Sequence, residues 1–507
     1  MHQYISEFSK HIGHQVIIKG WIINIRTSKT NCFFDFRDGT GFTQCVVSLE
    51  EVGEEIFEKA KNLSLESSVS FAGKVVQNEK NLGGFEVLVQ GMEIYHLAEG
   101  YPITKEDKEM GVDFLSDNRH LWLRTKRQWA IMKIRNQLIM SIHQFFQSEN
   151  FVQMDAPLLT GNACEGTTDL FATDFFGREA YLSQSGQLYG EAMAMAMGKI
   201  YTFGPTFRAE KSNTPRHLSE FWMIEPEMAF YTNEDNMNLI ERFIKSVIGQ
   251  VLFNCKQELE ILNRDTNLLQ KAAFSNFPRI PYTDAVKILR GEMDYHGKNC
   301  IQTQKDDMEK FQNRIHEIEQ DIQNRQDSIP TLSKGQVKFN EAKILALQSE
   351  QRDLEEKLRN IPKWIESALA FEDGNDFGNS DETVLTRIFE TPIMVYNWPA
   401  KVKSFYMKEV DGNPEYVKGV DLLAPEGFGE IVGGSERETD INVLLRKIDE
   451  HGLERRVFEW YLDLRRFGSV PHAGFGLGLE RLVRWVCNLP HVRETIPFQR
   501  RYGRIEP

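Results

Sequence analysis

The feature that most constrains this chain is a predicted β-hairpin at residues 203–230, with the sequence FGPTFRAEKSNTPRHLSEFWMIEPEMAF. Strands place alternate side chains on opposite faces, so Arg208 and Glu210 share one face of the first strand. Phe221 and Glu225 share a face of the return strand in the same way. An arginine, two carboxylates and an aromatic ring therefore converge, and a second arginine lies in the connecting loop. Such a face can bind a nucleoside polyphosphate with a metal ion, or it can be an ordinary salt-bridged hairpin.

This hairpin resembles motif 2 of the class II aminoacyl-tRNA synthetases, and its segment RHLSEFWMIEPEMAF is most similar to the asparaginyl group of subclass IIb. The resemblance extends over nearly the whole chain. It implies that Arg208 holds the α-phosphate of ATP and the amino-acid carboxylate, that Arg216 holds the γ-phosphate, and that Phe221 stacks under the adenine. Further ATP contacts are implied for Glu210, His217, Leu218, Glu430, Gly478 and Arg481.

Composition and charge restrict the class of protein. An apolar content of 41% and a charged content of 26% indicate a globular protein, and 507 residues are enough for two or three domains. The net charge of −14 argues against a general nucleic-acid binder, although local basic patches can still bind RNA. The N-terminus has no apolar signal core, no run approaches the ~20 apolar residues of a membrane helix, and the six cysteines form no CxxC pair. We therefore expect a cytoplasmic protein with reduced thiols, no membrane association and no DNA partner.

Residues 1–98 alternate short β-rich runs with glycine turns, which predicts a five-stranded barrel of the OB type. In the second strand, Cys32, Phe34 and Phe36 form the buried face, so Phe33 lies on the polar outer face. An aromatic ring there can stack on a nucleic-acid base, or it can be an ordinary half-exposed side chain. By resemblance, contacts with the tRNA anticodon are implied for Arg26, Phe33 and Gln44.

Residues 99–121 form a predicted linker, and residues 122–507 form a predicted α+β catalytic domain with an antiparallel sheet. Apolar residues at spacings of three and four predict a helix at 126–148, which leads into an extended segment with Pro157. This order resembles class II motif 1 and implies a homodimer, although a plain core helix would show the same pattern.

Residues 302–361 predict an antiparallel coiled-coil hairpin inserted within the catalytic domain. Apolar residues step by three and four on both sides of Pro330, and charged residues lie outside the seam. A solvated spacer is the simplest role for such an insertion, and a contact with tRNA or with another protein is the alternative.

Three more segments complete the site that the resemblance implies. The segment YLSQSGQLYGE resembles the part of subclass IIb enzymes that holds the amino acid, and GFGLGLERLVRWV resembles motif 3. The segment VDLLAPEGFGEIVGGSER carries Asp421 and Glu430 as implied Mg²⁺ ligands, and two are enough because magnesium keeps several waters. Contacts with L-asparagine are implied for Glu165, Ser185, Gln187, Glu191, Arg208, Glu225 and Arg437. Among these, Glu191 is expected to accept a hydrogen bond from the amide and to repel aspartate.

The resemblance implies ATP-dependent ligation of L-asparagine to tRNA(Asn) through an adenylate, with release of AMP and pyrophosphate and with Mg²⁺ as the cofactor. No protein nucleophile is needed, because catalysis would come from in-line positioning and from cationic charge on the phosphates. The implied catalytic residues are Arg208, Arg216 and Arg481. Three alternatives stay open: an aspartyl-tRNA synthetase, either specific for one tRNA or charging both, an asparagine synthetase built on the same catalytic domain, and an inactive RNA-binding relative.

Overall fold

The structure is a computed structural model that describes residues 2–81, 83–104, 110–161, 170–212 and 214–507. The chain divides into two compact units, Met1–Glu106 and Asp107–Pro507, each with a hydrophobic core of its own. Within the described ranges, no helix combines the length and the apolar character needed to span a bilayer.

The first unit is a closed five-stranded barrel, which confirms the predicted OB-type fold. Its elements are β1 (Gln15–Thr27), β2 (Asn31–Arg37), β3 (Phe42–Ser48), α1 (Leu49–Lys61), β4 (Ser68–Gln77) and β5 (Phe85–His96). The strands close in the order β1-β2-β3-β5-β4. Cys32, Phe34 and Phe36 are fully buried, because alternate residues of β2 point into the barrel.

The second unit is organised, within the described residues, around a nine-stranded sheet with a smaller three-stranded sheet beside it. Its strands are β6 (Val152–Gln153), β7 (Leu159–Thr160), β8 (Ala172–Phe175), β9 (Arg178–Leu182), β10 (Lys199–Phe207), β11 (Glu220–Ala229), β12 (Arg279–Pro281), β13 (Ile393–Pro399), β14 (Glu409–Val410), β15 (Asn413–Ala424), β16 (Gly429–Glu436) and β17 (His472–Gly478). The large sheet has the order β12-β13-β15-β16-β17-β11-β10-β6, and β14 pairs with β15. Its central pairs are antiparallel, whereas β6 and β12 at the edges pair in parallel. This architecture confirms the predicted α+β class.

Helices cover the sheet and form the insertion. They are α2 (Val112–Asp117), α3 (Arg119–Trp122), α4 (Lys126–Ser148), α5 (Gln187–Met197), α6 (Asn233–Asn254), α7 (Lys256–Ile261), α8 (Asn267–Phe274), α9 (Tyr282–Leu289), α10 (Cys300–Ser328), α11 (Lys334–Leu369), α12 (Asn379–Thr386), α13 (Ile441–Glu450), α14 (Glu459–Arg466) and α15 (Leu479–Val486). The apolar stripe that predicted α4 is buried in the main core, since Ile131, Ile134, Leu138 and Ile142 are fully enclosed.

The second half of the predicted linker 99–121 is not a free connection. It contains α2 and α3, and the Arg119 side chain is buried in the second unit. Its guanidinium donates hydrogen bonds to the carbonyl oxygens of Ile496 and Pro497, each at 2.8 Å. Local composition cannot predict these contacts, because they join residues that are far apart in the chain.

The inserted hairpin is formed by α10 and α11, with a helical turn at Ile329–Thr331 between them. The two helices are cross-linked on their surface, where Arg314 Nε donates to Glu350 Oε1 at 2.8 Å. This confirms the helical hairpin expected at 302–361.

The root of the hairpin extends beyond the predicted interval and belongs to the core. Gln304 and Asp307 are buried, and Arg387 Nε donates to Asp307 Oδ2 at 2.5 Å. Cys300 and Ala368 lie in the apolar cluster that also contains residues of α12. The hairpin is therefore a projecting arm on a packed base.

Candidate active site

A pocket opens beside the β10–β11 hairpin. Arg208 follows the last residue of β10, and its backbone N–H donates to Ser219 O at 3.0 Å, which continues the ladder past the strand. The centre of its guanidinium lies 5.5 Å from the Phe221 ring. The predicted convergence of a cation and an aromatic plate is therefore present.

The structure brings every predicted ATP-binding residue to this pocket. They are Arg208, Glu210, Arg216, His217, Leu218, Phe221, Glu430, Gly478 and Arg481. Strands β11 and β17 are neighbours in the sheet, so the hairpin and the glycine-rich segment before α15 share one wall. This set combines phosphate-binding cations with an aromatic surface for a base.

Two arginines of the pocket, Arg216 in the hairpin loop and Arg481 on α15, are each paired with a carboxylate. Arg216 Nη1 pairs with Glu382, and Arg481 Nη1 donates to Glu430 Oε2 at 2.8 Å. Burial raises the pKa of Glu382, although the neighbouring Arg216 acts in the opposite direction. Sequence reasoning missed Glu382, because it lies in no motif and meets Arg216 only through the fold.

Asp421 and Glu430 approach each other across Gly433. A Cβ atom at Gly433 would lie 2.9 Å from Glu430 Oε1 and 3.5 Å from Asp421 Oδ1, so glycine leaves room between the two carboxylates. Burial raises the pKa of Asp421 to about 7, although Lys403 Nζ donates to its Oδ2 at 2.8 Å. Hard oxygen donors around an open space fit Mg²⁺, which needs few protein ligands. No larger cluster of potential metal ligands occurs in the part of the chain that the structure describes.

A second cavity adjoins the first. The two share Arg208, Met223, Glu430 and Gly476. Five of the residues predicted to bind asparagine line it, namely Ser185, Gln187, Arg208, Glu225 and Arg437. Glu165 lies outside the described residues.

Glu225 is held rigidly at the wall of this second cavity. Its Oε2 accepts hydrogen bonds from the Gly186 N–H at 2.8 Å and from Thr202 Oγ1 at 3.2 Å, and its Oε1 accepts from Ser185 Oγ. The loop that precedes α5 thus clamps a carboxylate on β11. Rotation of this side chain is restricted by the three donors.

Arg437 follows β16 and is held from behind by a second carboxylate. Its Nε and Nη2 donate to Glu227 at 3.3 and 2.5 Å, and its Nη1 donates to Ser435 Oγ at 2.6 Å. Burial raises the pKa of Glu227 to about 8, although Arg437 lowers it. A guanidinium has five N–H donors, so these bonds leave others for a ligand in the cavity.

Glu191, which is predicted to touch the substrate amide, is not among the residues that line the two cavities. It is fully buried on α5, and its Oε2 accepts from Tyr461 Oη at 2.8 Å and Arg465 Nη2 at 2.9 Å. Its Oε1 accepts from Gln187 Nε2 at 3.2 Å and lies 3.9 Å from Arg437 Nε. Because α14 supplies two of these hydrogen-bond donors, the Glu191 carboxylate is held behind the cavity wall.

On the barrel, the three residues predicted to contact an anticodon share one outer face. Arg26 on β1 pairs in register with Phe33 on β2, and Asp35 pairs with Gln44 on β3. The Arg26 guanidinium lies 5.9 Å from the Phe33 ring centroid. A cation, an aromatic ring and an amide are therefore neighbours on a surface that suits a single-stranded base.

Comparison with known proteins identifies the family. A family model described as tRNA synthetases class II (D, K and N) matches residues 111–501. The chain belongs to the class II tRNA synthetases. A second model, described as an OB-fold nucleic acid binding domain, matches residues 16–95 of this synthetase. Both matches agree with the family expected from the hairpin at 203–230.

Relatives of this synthetase at high coverage are asparaginyl enzymes. It is 45% identical to the asparagine–tRNA ligase of Symbiobacterium thermophilum over 99% of both chains, and 43% identical to that of Thermus thermophilus over all of both chains. The solved asparaginyl-tRNA synthetase of Pyrococcus horikoshii complexed with asparaginyl-adenylate matches with a TM-score of 0.81 and 35% identity, over all of both chains. These findings confirm that the synthetase is an enzyme of the asparaginyl group.

Proposed function

We propose that this chain activates L-asparagine with ATP and transfers it to tRNA(Asn). One observation carries the proposal: Arg208 lines both cavities, the first together with Arg216 and Arg481 and the second together with Glu225 and Arg437. Adenylate formation joins a carboxylate to an α-phosphate, and both groups are anionic. The reaction needs charge neutralisation at the junction of the two cavities, and Arg208 places a cation there.

In the first step, an oxygen of the asparagine carboxylate attacks the α-phosphorus, and the bond to the pyrophosphate oxygen breaks. Arg208 neutralises charge at the reacting phosphoryl group, while Arg216 and Arg481 bind the departing phosphates. The nucleophile is already ionised, so no side chain has to remove a proton. In the second step, the terminal ribose hydroxyl of the tRNA attacks the acyl carbon, the bond to the AMP oxygen breaks, and the hydroxyl proton passes to the departing phosphate or to water. Positioning and electrostatic stabilisation account for both steps.

We propose Asp421 and Glu430 as the residues that hold Mg²⁺ with ATP. When bound, the ion would offset the negative charge of the phosphates. Lys403 donates to Asp421 at 2.8 Å, so it would have to share this carboxylate with the ion.

Selection of the amide is proposed to come from Glu225 and Arg437, which line the same cavity. A carboxamide offers an NH₂ donor and an oxygen acceptor, whereas aspartate offers acceptors only. Arg437 can donate to the oxygen, and the fixed Glu225 carboxylate can accept from the NH₂ group. Aspartate would place a second negative charge beside Glu225, and this repulsion disfavours it.

A homodimer is also proposed. Apolar side chains stay exposed on α4 and along the extended segment that follows it, and a second copy of the chain could cover them. They include Met140, Val152, Leu158 and Leu159. Sedimentation analysis at several protein concentrations tests this, and a monomer at all of them would contradict it.

Pyrophosphate exchange with asparagine and with aspartate tests the function. We expect exchange that depends on asparagine, with an efficiency at least about 100-fold lower for aspartate. Equal efficiencies would support an aspartyl enzyme that charges both tRNAs. Loss of exchange with both amino acids, with tRNA binding retained, would indicate an inactive RNA-binding relative. Asparagine formed from aspartate and ammonia would indicate a synthetase of the amino acid.

A further inference from the structure

Glu382 on α12 connects two functional parts of the ATP pocket. Its Oε2 accepts a hydrogen bond from the backbone N–H of Glu430 at 3.0 Å, and the same oxygen pairs with Arg216 Nη1. Glu430 is a proposed metal ligand, and Arg216 is the proposed γ-phosphate ligand. One carboxylate therefore holds both groups from behind, although it does not itself line the pocket.

The Arg216 guanidinium is held at further points by the same elements. Its Nη2 donates to the Gly427 carbonyl at 3.0 Å and to Thr383 Oγ1 at 3.3 Å. A long arginine side chain on a loop samples many rotamers in solution, so holding it before ATP arrives avoids that entropy cost during binding.

The backbone beside the ion pair of Glu382 and Arg216 has a conformation that favours glycine. Gly429 has a φ of 73°, and a Cβ atom there would lie 2.0 Å from Glu382 Oε2 and 2.5 Å from Arg216 Nη1. Only a residue without a side chain lets the start of β16 approach the ion pair so closely. The local structure is thus built around the contact between Glu382 and Arg216.

The positive charge of the neighbouring arginines also favours a carboxylate at the position of Glu382. Burial lowers the pKa of Arg216, Glu382 raises it, and Arg481 lowers it further because two cations repel each other in the same pocket. Glu382 beside Arg216 and Glu430 beside Arg481 offset this repulsion. Both cations can then stay charged and close together before the phosphates bind.

We propose that Glu382 is a positioning residue for the γ-phosphate, which pre-orders Arg216 and the first residues of β16. The proposal rests on the proposed function of the pocket as an ATP site. Glu382 acts on the γ-phosphate through the Arg216 side chain and reaches Glu430 only at its backbone N–H, so it favours a triphosphate over a diphosphate and, among the described residues, contacts no side chain of the amino-acid cavity.

The fold of α12 does not depend on Glu382. The helix begins with Asp381 Oδ2 accepting from the Gly378 N–H at 2.9 Å, and its apolar face buries Val384 and Leu385. Glu382→Gln keeps the size of the side chain and removes its charge. A change in nucleotide binding can therefore be separated from unfolding, which a thermal melt will check.

The test compares Glu382→Gln and Glu382→Ala with the wild type. Calorimetry measures the affinity for ATP and for ADP with Mg²⁺, and pyrophosphate exchange gives KM for ATP and for asparagine. We expect ATP affinity to fall about tenfold or more, with less than a twofold change in ADP affinity and in KM for asparagine. Glu390→Gln is the matched control, because Glu390 forms an exposed ion pair with Lys271 at 2.7 Å.

A double substitution decides whether Glu382 acts through Arg216. In an Arg216→Ala background, Glu382→Gln should change ATP affinity by less than twofold. Equal losses for ATP and ADP, no loss for either, or an additive loss in the double variant would each overturn the proposal. If the wild-type protein binds neither nucleotide, the proposed function itself fails, and the role of Glu382 fails with it.

Discussion

His472 and Glu191 form a buried hydrogen bond in which Nε2 lies 3.0 Å from Oε2. The other ring nitrogen, Nδ1, lies 2.8 Å from the Val470 carbonyl oxygen. The imidazole ring is therefore held between the Val470 carbonyl and the Glu191 carboxylate. Glu191 also pairs with Arg465 at 2.9 Å, so it is an internal counter-charge behind the wall that holds Arg437.

Glu191→Gln should destabilise the protein by about 3–5 kcal/mol, because it leaves buried cations without their carboxylate. It should also relax the preference for asparagine, since Gln187 and Arg437 lose the group that orients them. Urea unfolding and pyrophosphate exchange with asparagine and aspartate measure the two effects. Glu450→Gln, at an exposed ion pair with Arg446, is the control. Unchanged stability together with full preference for asparagine would show that the network is dispensable.

Acid should remove the contribution of Glu191 to stability. Burial by itself would raise the pKa of Glu191, but Arg465, His472 and Arg437 hold it well below its usual range. A group with a lowered pKa in the folded state stabilises the fold above its unfolded pKa, about 4.3 for glutamate, and loses that effect as the pH falls through its folded pKa. The stability difference between wild type and Glu191→Gln should therefore be constant near pH 7 and shrink below about pH 4. A difference that grows in acid would contradict this assignment.

Arg208→Ala should lower adenylate formation by about 10²–10³-fold, because a preorganised cation at the reacting phosphoryl group is lost. Pyrophosphate exchange measures this step, and circular dichroism checks that the fold is intact. The control is Arg242→Ala, since the Arg242 side chain is exposed and pairs with Glu149 at the surface. Exchange near the wild-type rate would refute the role of Arg208.

Phe33→Ala should weaken tRNA charging by about 10- to 100-fold and leave asparagine activation unchanged. Stacking of one base on an aromatic ring contributes roughly 1–3 kcal/mol, and the barrel is a separate compact unit. Aminoacylation and pyrophosphate exchange are compared for this variant and for Tyr95→Ala, which removes another half-exposed ring of the barrel. Equal losses in both assays would point to misfolding of the barrel.

Removing the arm of the hairpin should leave an active synthetase, provided that its root is kept. Phe311 and Lys357 lie opposite each other, with the ammonium 5.7 Å from the ring, so a short Gly-Ser bridge can replace residues 312–356. Deletion of 302–361 should instead destabilise the protein, because it removes Gln304 and Asp307 from the packed root. Thermal melts and asparagine activation distinguish the two variants, and loss of activation in the shorter deletion would assign the arm a catalytic role.

The sequence by itself determined the barrel, the α+β class, the helical arm and the residues around the ATP pocket. The alternation of Cys32, Phe34 and Phe36 with Phe33 fixes the two faces of β2, because a strand has a period of two residues. The resemblance to a known family implied the predicted ATP-binding set, and the structure brings its members to one pocket. Local periodicity and motif spacing carry this information.

Only the tertiary structure decided which charges are paired and which residues act from behind the cavity walls. Glu382 meets Arg216 although the two are far apart in the chain, and Glu191 meets Tyr461, Arg465 and His472 in the same manner. The resemblance implies a substrate contact for Glu191, which is the last residue of the segment YLSQSGQLYGE. Its carboxylate turns away because α14 and β17 bring buried donors to it. The energy of a buried charge depends on the partners that the fold brings within a few ångströms, and no local pattern in the chain specifies those partners.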